Sequence, residues 1–446
     1  MSKNIVLKRG LDIPIEGAAA QTVGQMVKSG ILAVKPTDFK GIVPRLLVRE
    51  GDKVLAGSPV FSDKQNPDIL FTSPVSGTVT EIVRGEKRKL LEVRIEADLT
   101  PSWQDFGVHD PASMDAEAVK ELLLSSGLWA ALIERPYGVV AHPAAAPKAL
   151  FISAFNTAPL AADLEFTLGD EIGDIQTGIQ ALSRLAPVHV CVKPGSVFAG
   201  LSDATVHTVC GKHPAGNVGV QISHISPILK GDVVWTVSLL MTAAIGRLLR
   251  TGRVDLSRKV AVTGPAAIEP SYVEALPGIR MTRLAAFMAE SADTLRVISG
   301  DPLSGRSIGA DGFLGFYDNQ VTLLHEGRER EILGWANPLR FNQFSSTRSY
   351  FSWLLPKKRY AMDTNTHGGP RAFMMSDVYG KVLPMDLFPV HLVKACLAGN
   401  IDDMEKFGIY EVLPEDLALC EFVDPSKNDI QAIIQNGIDQ MIREMA

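Results

Sequence analysis

Hydrophobic and polar positions between Ser102 and Ser257 switch repeatedly between two periods. Val188-His-Val-Cys-Val192 and Thr205-Val-His-Thr-Val-Cys210 alternate with period two and read as strands. Leu150-Phe-Ile-Ser-Ala-Phe155 is an apolar run of buried-strand length. Ala116 to Leu124 has helical spacing, with Val119, Leu122 and Leu123 on one face and Gly127 as its stop, and Ile172 to Leu185 is helical as well. Strands separated by helices predict a Rossmann-like α/β domain over 102–257. Its longest apolar run, Val233 to Gly246, predicts a buried helix. Fourteen residues make about 21 Å of helix, too short for a hydrocarbon layer of about 30 Å.

Residues 1–101 follow a different pattern, rich in Val, Ile, Gly and Pro. Val48 to Gly57 reads as two strands joined at a Gly51-Asp52 turn. Ser73-Pro-Val-Ser-Gly77 then opens another pair of short strands. This arrangement resembles a biotinyl/lipoyl-type barrel-sandwich domain. In such carriers a modified lysine sits on the intervening hairpin, where this chain has Lys64. Asn66-Pro67-Asp68 lengthens that hairpin, so a scaffold is the expectation and an independent acyl or biotinyl carrier the alternative.

Lys259 to Pro265, Arg296 to Gly300 and Phe316 to Leu324 read as strands around one helical stretch, Met281 to Ser291, a β-grasp (SLBB-like) domain over 258–332. From 333 to 446 the chain is loop-rich, with Pro338, Pro356, Pro370, Pro384 and Pro389. It closes with helices at Val390–Ala398, Ile401–Phe407 and Asp429–Met445. The fold class is therefore α+β and multidomain.

The 446 residues carry 44 Lys+Arg against 50 Asp+Glu, a net charge of −6, with no basic block. That excludes the electrostatic footprint of a nucleic-acid binder. The opening residues lack an apolar stretch of secretory type, and no basic amphipathic segment marks a membrane-surface helix. Four cysteines, at 191, 210, 396 and 420, have neither disulfide-framework nor metal-site spacing and fit a reducing cytosol. No P-loop occurs, and Asn156-Thr-Ala-Pro159 stands where a dinucleotide fold needs glycines. Cys420-Glu-Phe-Val-Asp424-Pro425 has the outline of a ferredoxin-type tail with Asp424 in place of the second cysteine. One thiolate is too few for a cluster. His189 and His207, alternating within strands, read as structural residues rather than ligands.

Asp63-Lys-Gln-Asn-Pro67, Ser126-Gly-Leu-Trp129, Asn156-Thr-Ala-Pro-Leu-Ala-Ala162, His213-Pro-Ala-Gly216, Leu303-Ser-Gly305, Gly334-Trp335 and Glu415-Asp-Leu-Ala-Leu-Cys420 occur in order along the chain. Together they resemble the NqrA family, which supplies one component of the Na⁺-translocating NADH:quinone oxidoreductase, a six-subunit bacterial complex. The resemblance implies a peripheral subunit on the cytoplasmic face of the inner membrane, attached through partner subunits. It also implies no redox cofactor in this chain, with flavins and iron–sulfur centres in the partners. Ser126-Gly-Leu-Trp129 stands where flavin-bearing relatives have a glycine loop. Quinone handling, of ubiquinone or menaquinone, is the implied role. Trp129, Arg135, Tyr137 and His142 are the candidate quinone-binding residues: Trp129 to stack on the head group and Arg135 to donate to a carbonyl. The same aromatic residues read equally as packing of the α/β domain.

Overall fold

The computed structural model describes residues 2–27, 30–288, 294–328 and 339–445. The barrel-sandwich half near the N-terminus consists of two facing sheets. One has the order Ile31–Val34, Leu90–Ala97, Gly77–Arg84, Lys53–Val54; the other is Pro44–Leu46, Pro59–Asp63, Leu70–Thr72. Inward-facing Val60, Phe61, Phe71, Val79, Val93 and Ile95 fill the space between them, with Phe61 stacked on Phe71 at 4.6 Å. The Gly51-Asp52 turn is present, but it does not close a hairpin. The strand after it, Lys53–Val54, pairs with Gly77–Arg84, whereas the strand before it lies in the other sheet. Lys64 is exposed on a turn that the Asp63 carboxylate organises by accepting from the backbone of Val43 and Asn66.

The α/β domain is built on a seven-stranded sheet. Its order is Asn4–Val6, Thr205–Cys210, Val188–Val192, Ala149–Ser153, Val234–Thr236, Ile133–Arg135, Val139–Val140. The edge strand Asn4–Val6 comes from the segment read as part of the barrel. Ala20–Val23 likewise joins the third sheet, next to Ser271–Ala275, so the first 23 residues stitch the domains together. The run Val233 to Gly246 is not one helix. Val234–Thr236 is a central strand and Leu239–Thr251 a helix, divided where Ser238 caps the helix by accepting from Met241 N at 3.2 Å. Sheet geometry overrode the continuous hydrophobicity, which a buried strand and a buried helix share.

Alternation along the strands sends the two faces of this sheet into two cores. Leu150, Ile152, Val188, Val190 and Trp235 face the helices Ile172–Leu182 and Leu239–Thr251. Those helices touch so closely that a Cβ on Gly246 would lie 1.8 Å from the Asp174 carbonyl oxygen. On the other face, Ile5, Phe151, Cys191, Val209 and Val234 pack against the C-terminal helices, including Pro389–Ala398 and Ile430–Met445. The C-terminal region therefore forms the second outer layer of the α/β domain.

The third sheet has six strands, where the sequence predicts three: Arg306–Ser307, Leu295–Ser299, Gln320–His325, Arg258–Thr263, Ser271–Ala275 and Ala20–Val23. Its last long strand begins at Gln320 rather than Phe316, because residues 315–319 turn toward the other domains. The stretch Met281–Phe287 is 3-10 helix rather than α-helix. Residues 289–291 of that expected helix, the boundary after 332, and Gly334, Trp335 and Pro338 lie outside the described residues. Among the described residues no helix is long and apolar enough to cross a membrane.

Candidate functional site

From Ala149–Ser153 the chain builds Val188–Val192 and Thr205–Cys210 on one side, then crosses to place Val234–Thr236 on the other. Strand order reverses there, and the crevice at the carboxyl ends of the two diverging strands is where open α/β sheets bind ligands. A cleft of about 380 Å³ occupies that position. Phe155, Leu239, Leu240 and Ile133 form much of its apolar wall. The third domain adds Leu303 and Tyr317, and the C-terminal region adds Glu415 and Ala418. Tyr317 is fixed in place by its hydroxyl, which donates to Ala130 O at 2.6 Å.

His213 is among the polar residues that line the cleft. It is buried, its backbone N–H donates to Asp12 Oδ1 at 3.0 Å, and its ring Nδ1 lies 3.3 Å from Thr157 Oγ1. That hydroxyl oxygen also accepts from Gly216 N at 2.9 Å. The other ring nitrogen, Nε2, is buried and has no hydrogen-bond partner among the described residues. Burial lowers the affinity of His213 for a second proton, opposed by the carboxylates of Asp301, Asp12 and Asp416. The result is a neutral imidazole with one unpartnered nitrogen, on a residue that lines the cleft.

Behind the cleft wall lies a buried ion group. Arg135 donates from Nη1 to Asp416 Oδ2 at 2.9 Å and from Nη2 to Glu415 Oε1 at 3.0 Å. Burial works against the guanidinium charge, but the two carboxylates outweigh it and hold the group above its ordinary range. The pair leaves no space for a side chain at residue 219: a Cβ on Gly219 would lie 2.4 Å from Arg135 Nη1. Asp416 also accepts from Leu413 N at 3.0 Å, fixing the turn that carries Glu415 to the cleft.

None of the four quinone candidates from the sequence lines this cleft, and the fold does not gather them around a common cavity. Trp129 is fully buried, donates from Nε1 to Ala141 O at 2.7 Å and meets Trp235 edge-on at 5.4 Å. Arg135 is enclosed by its carboxylates. Tyr137 is half-buried against the C-terminal helices, while His142 is exposed and accepts at Nδ1 from Ala144 N. Their segment reaches the cleft through Ala131 and Ile133 instead. His213 and Glu415 each lie in one of the blocks that carry the family resemblance, but nothing in the local pattern marks either as facing a cavity.

The Cys420 thiol is fully buried in the helix Ala418–Val423, and burial pushes its pKa well above the ordinary thiol range. Asp424, in the position of the expected second cysteine, accepts from Asn428 N at 2.9 Å and Ser426 N at 3.2 Å and so organises its own loop. Among the described residues no group of His, Cys, Asp and Glu has a metal-binding arrangement.

Residues 5–98 match the NqrA N-terminal barrel-sandwich hybrid domain, 114–254 the NqrA second alpha/beta domain, and 259–309 the NQRA C-terminal domain. The A subunit of the Na(+)-translocating NADH-quinone reductase of Yersinia pestis bv. Antiqua (strain Angola) is 36% identical over 447 residues, 99% of this chain and 100% of its own length. The protein of the same name from Rhodopirellula baltica is 36% identical over 98% of both chains. That from Serratia proteamaculans is 35% identical over 99% of this chain and 100% of its own. With domain matches in this order and relatives similar from end to end, the chain belongs to the NqrA family, the A subunits of Na⁺-translocating NADH-quinone reductases.

Proposed function

We propose that this chain is the peripheral A subunit of a six-subunit Na⁺-pumping NADH:quinone reductase and offers the quinone head group a binding cleft at the switch point of its α/β sheet. The complex oxidises NADH, reduces quinone and exports Na⁺; flavins and iron–sulfur centres belong to its partner subunits. This component works without a redox group of its own, on the cytoplasmic face of the inner membrane, docked to those partners. The near-full-length similarity to relatives bearing that name supports the assignment. Trp129, which fills the core where flavin-bearing relatives have a glycine loop, and the enclosed Cys420 support the cofactor-free part.

The observation that carries the quinone reading is the unpartnered Nε2 of His213, which in the Nε2–H tautomer is a free donor. A quinone offers flat apolar carbon and two carbonyl acceptors, and a quinone site needs apolar walls with one or two donors. The cleft has both. Arg135 acts one step removed, as a positioning residue that holds Glu415 at the rim. In the assembled complex His213→Ala is expected to raise the apparent KM for quinone about 2- to 13-fold, the equivalent of one neutral hydrogen bond. NADH oxidation by an artificial acceptor should stay unchanged. Wild-type quinone kinetics in that variant would remove the cleft from quinone binding, and stoichiometric flavin in the isolated chain would overturn the cofactor-free reading.

A further inference from the structure

We infer that residues 339–358 form a lipid-contact surface that seats on anionic phospholipid headgroups. The inference goes beyond the proposed function and does not depend on the quinone cleft. Between residues 339 and 375 the sequence places six basic side chains, Arg340, Arg348, Lys357, Lys358, Arg359 and Arg371, against a single carboxylate, Asp363. The chain as a whole carries a net charge of −6, so this segment stands out from its own background. Helical periodicity does not reveal it, because these residues sit on loops and a 3-10 turn.

The structure brings apolar tips and cations together on one turn. Phe351–Leu354 is a 3-10 turn that buries Ser352 and exposes Phe351, Trp353 and Leu354, with Leu355 following. Trp353 is 45% exposed and Leu354 54%. The patch is continuous. The Phe341 ring lies 6.3 Å from that of Phe351, and the Arg348 guanidinium sits 5.3 Å from the Trp353 ring. Lys358 Nζ donates to the Phe341 carbonyl at 2.9 Å. The platform is rooted in the fold through buried Tyr360, whose carbonyl accepts from Glu16 N at 3.0 Å and whose backbone N–H donates to Pro14 O at 2.8 Å.

An isolated exposed leucine would carry no meaning, but a joined aromatic and aliphatic patch marks a contact surface. Its chemistry selects the partner. Tryptophan favours the interface between headgroups and acyl chains, Phe and Leu bury at the same boundary, and Lys and Arg beside them meet negatively charged headgroups. The apolar side chains project from a turn and leave their tips exposed beside the cations. This contact adds to docking on partner subunits and sets the orientation of the chain against the bilayer.

The test is co-sedimentation of the purified full chain with vesicles of phosphatidylethanolamine and phosphatidylglycerol at 3:1, compared with pure phosphatidylcholine. Binding is expected to the first and not the second, and to weaken as salt is raised. Arg348→Gln with Lys357→Gln should lower binding roughly 5-fold per basic side chain, about 25-fold together. Trp353→Ser with Leu354→Ser should weaken it by at least as much, while circular dichroism keeps the wild-type fold. No binding to the anionic vesicles, equal binding to both compositions, or wild-type binding by both double variants would each overturn the inference. So would association that requires proteoliposomes carrying the integral subunits, since that would identify a protein partner. Co-purification with those subunits tests the family role separately.

Discussion

The seven-stranded sheet holds polar clusters at two places, and they differ in one respect. Toward the amino-terminal side of its strands, His189 Nδ1 faces His207 Nε2 at 2.9 Å, and His207 Nδ1 accepts from the backbone N–H of Lys3 at 3.0 Å. With Nδ1 occupied as an acceptor, neutral His207 carries its proton on Nε2 and donates it to His189. The facing nitrogens are matched, and Phe151 stacks on His189 to seal the pair. Past the carboxyl end of Thr205–Cys210, the pair of His213 and Thr157 leaves His213 Nε2 buried without a partner among the described residues. Burial is common to both clusters. What separates them is that one is closed upon itself and the other retains hydrogen-bonding capacity beside a cleft, which is what a ligand needs.

The largest effect is expected at Arg135, in the ion group that is closed upon itself behind the cleft wall. Removing its guanidinium leaves Asp416 buried without its cation, so Arg135→Ala should destabilise the chain by about 3–5 kcal/mol in urea unfolding. A loss under about 1 kcal/mol would mean that water already reaches this group, because exposed ion pairs contribute only that much.

The histidine pair should appear next, as a dependence on pH. Burial, followed by the neighbouring His189 and the positive charges of the N-terminus and Lys3, pushes the pKa of His207 down to about 4. An unfolded chain takes up that proton near pH 6.5. Stability from the neutral pair is therefore complete above about pH 6.5 and declines as pH falls toward 4, where the unfolded chain binds more protons. His207→Gln should flatten the fall in Tm over this window. An unchanged slope would place the acid sensitivity elsewhere.

The smallest stability effect belongs to the open cluster. His213→Gln should alter unfolding by no more than about 0.5–1.5 kcal/mol, the contribution of the single hydrogen bond to Thr157. A loss as large as that at Arg135 would place His213 in the closed, structural category and weaken the contrast.

Much of the local structure was legible because it depends on neighbouring residues. Val188–Val192 and Thr205–Cys210 form strands where alternation predicts them, and Gly127 ends its helix in the left-handed region, with φ of 78°. The run after Val233 failed as a single helix because hydrophobicity without alternation does not distinguish a buried strand from a buried helix. Trp129 and Arg135 stand close together along the chain in a loop-like group of aromatic and cationic residues, yet that proximity did not place them on one surface.

The sequence by itself determined the α+β class, the barrel-sandwich and α/β portions and the family, because periodicity, turn chemistry and ordered motifs are written along the chain. Only the tertiary structure decided that Ser153, His213, Ser238 and Glu415 share one cleft, and that Arg135 serves Asp416 rather than open space. Those residues are separated by dozens to hundreds of positions. They meet because the sheet reverses its strand order there and the C-terminal helices fold back to cover its second face.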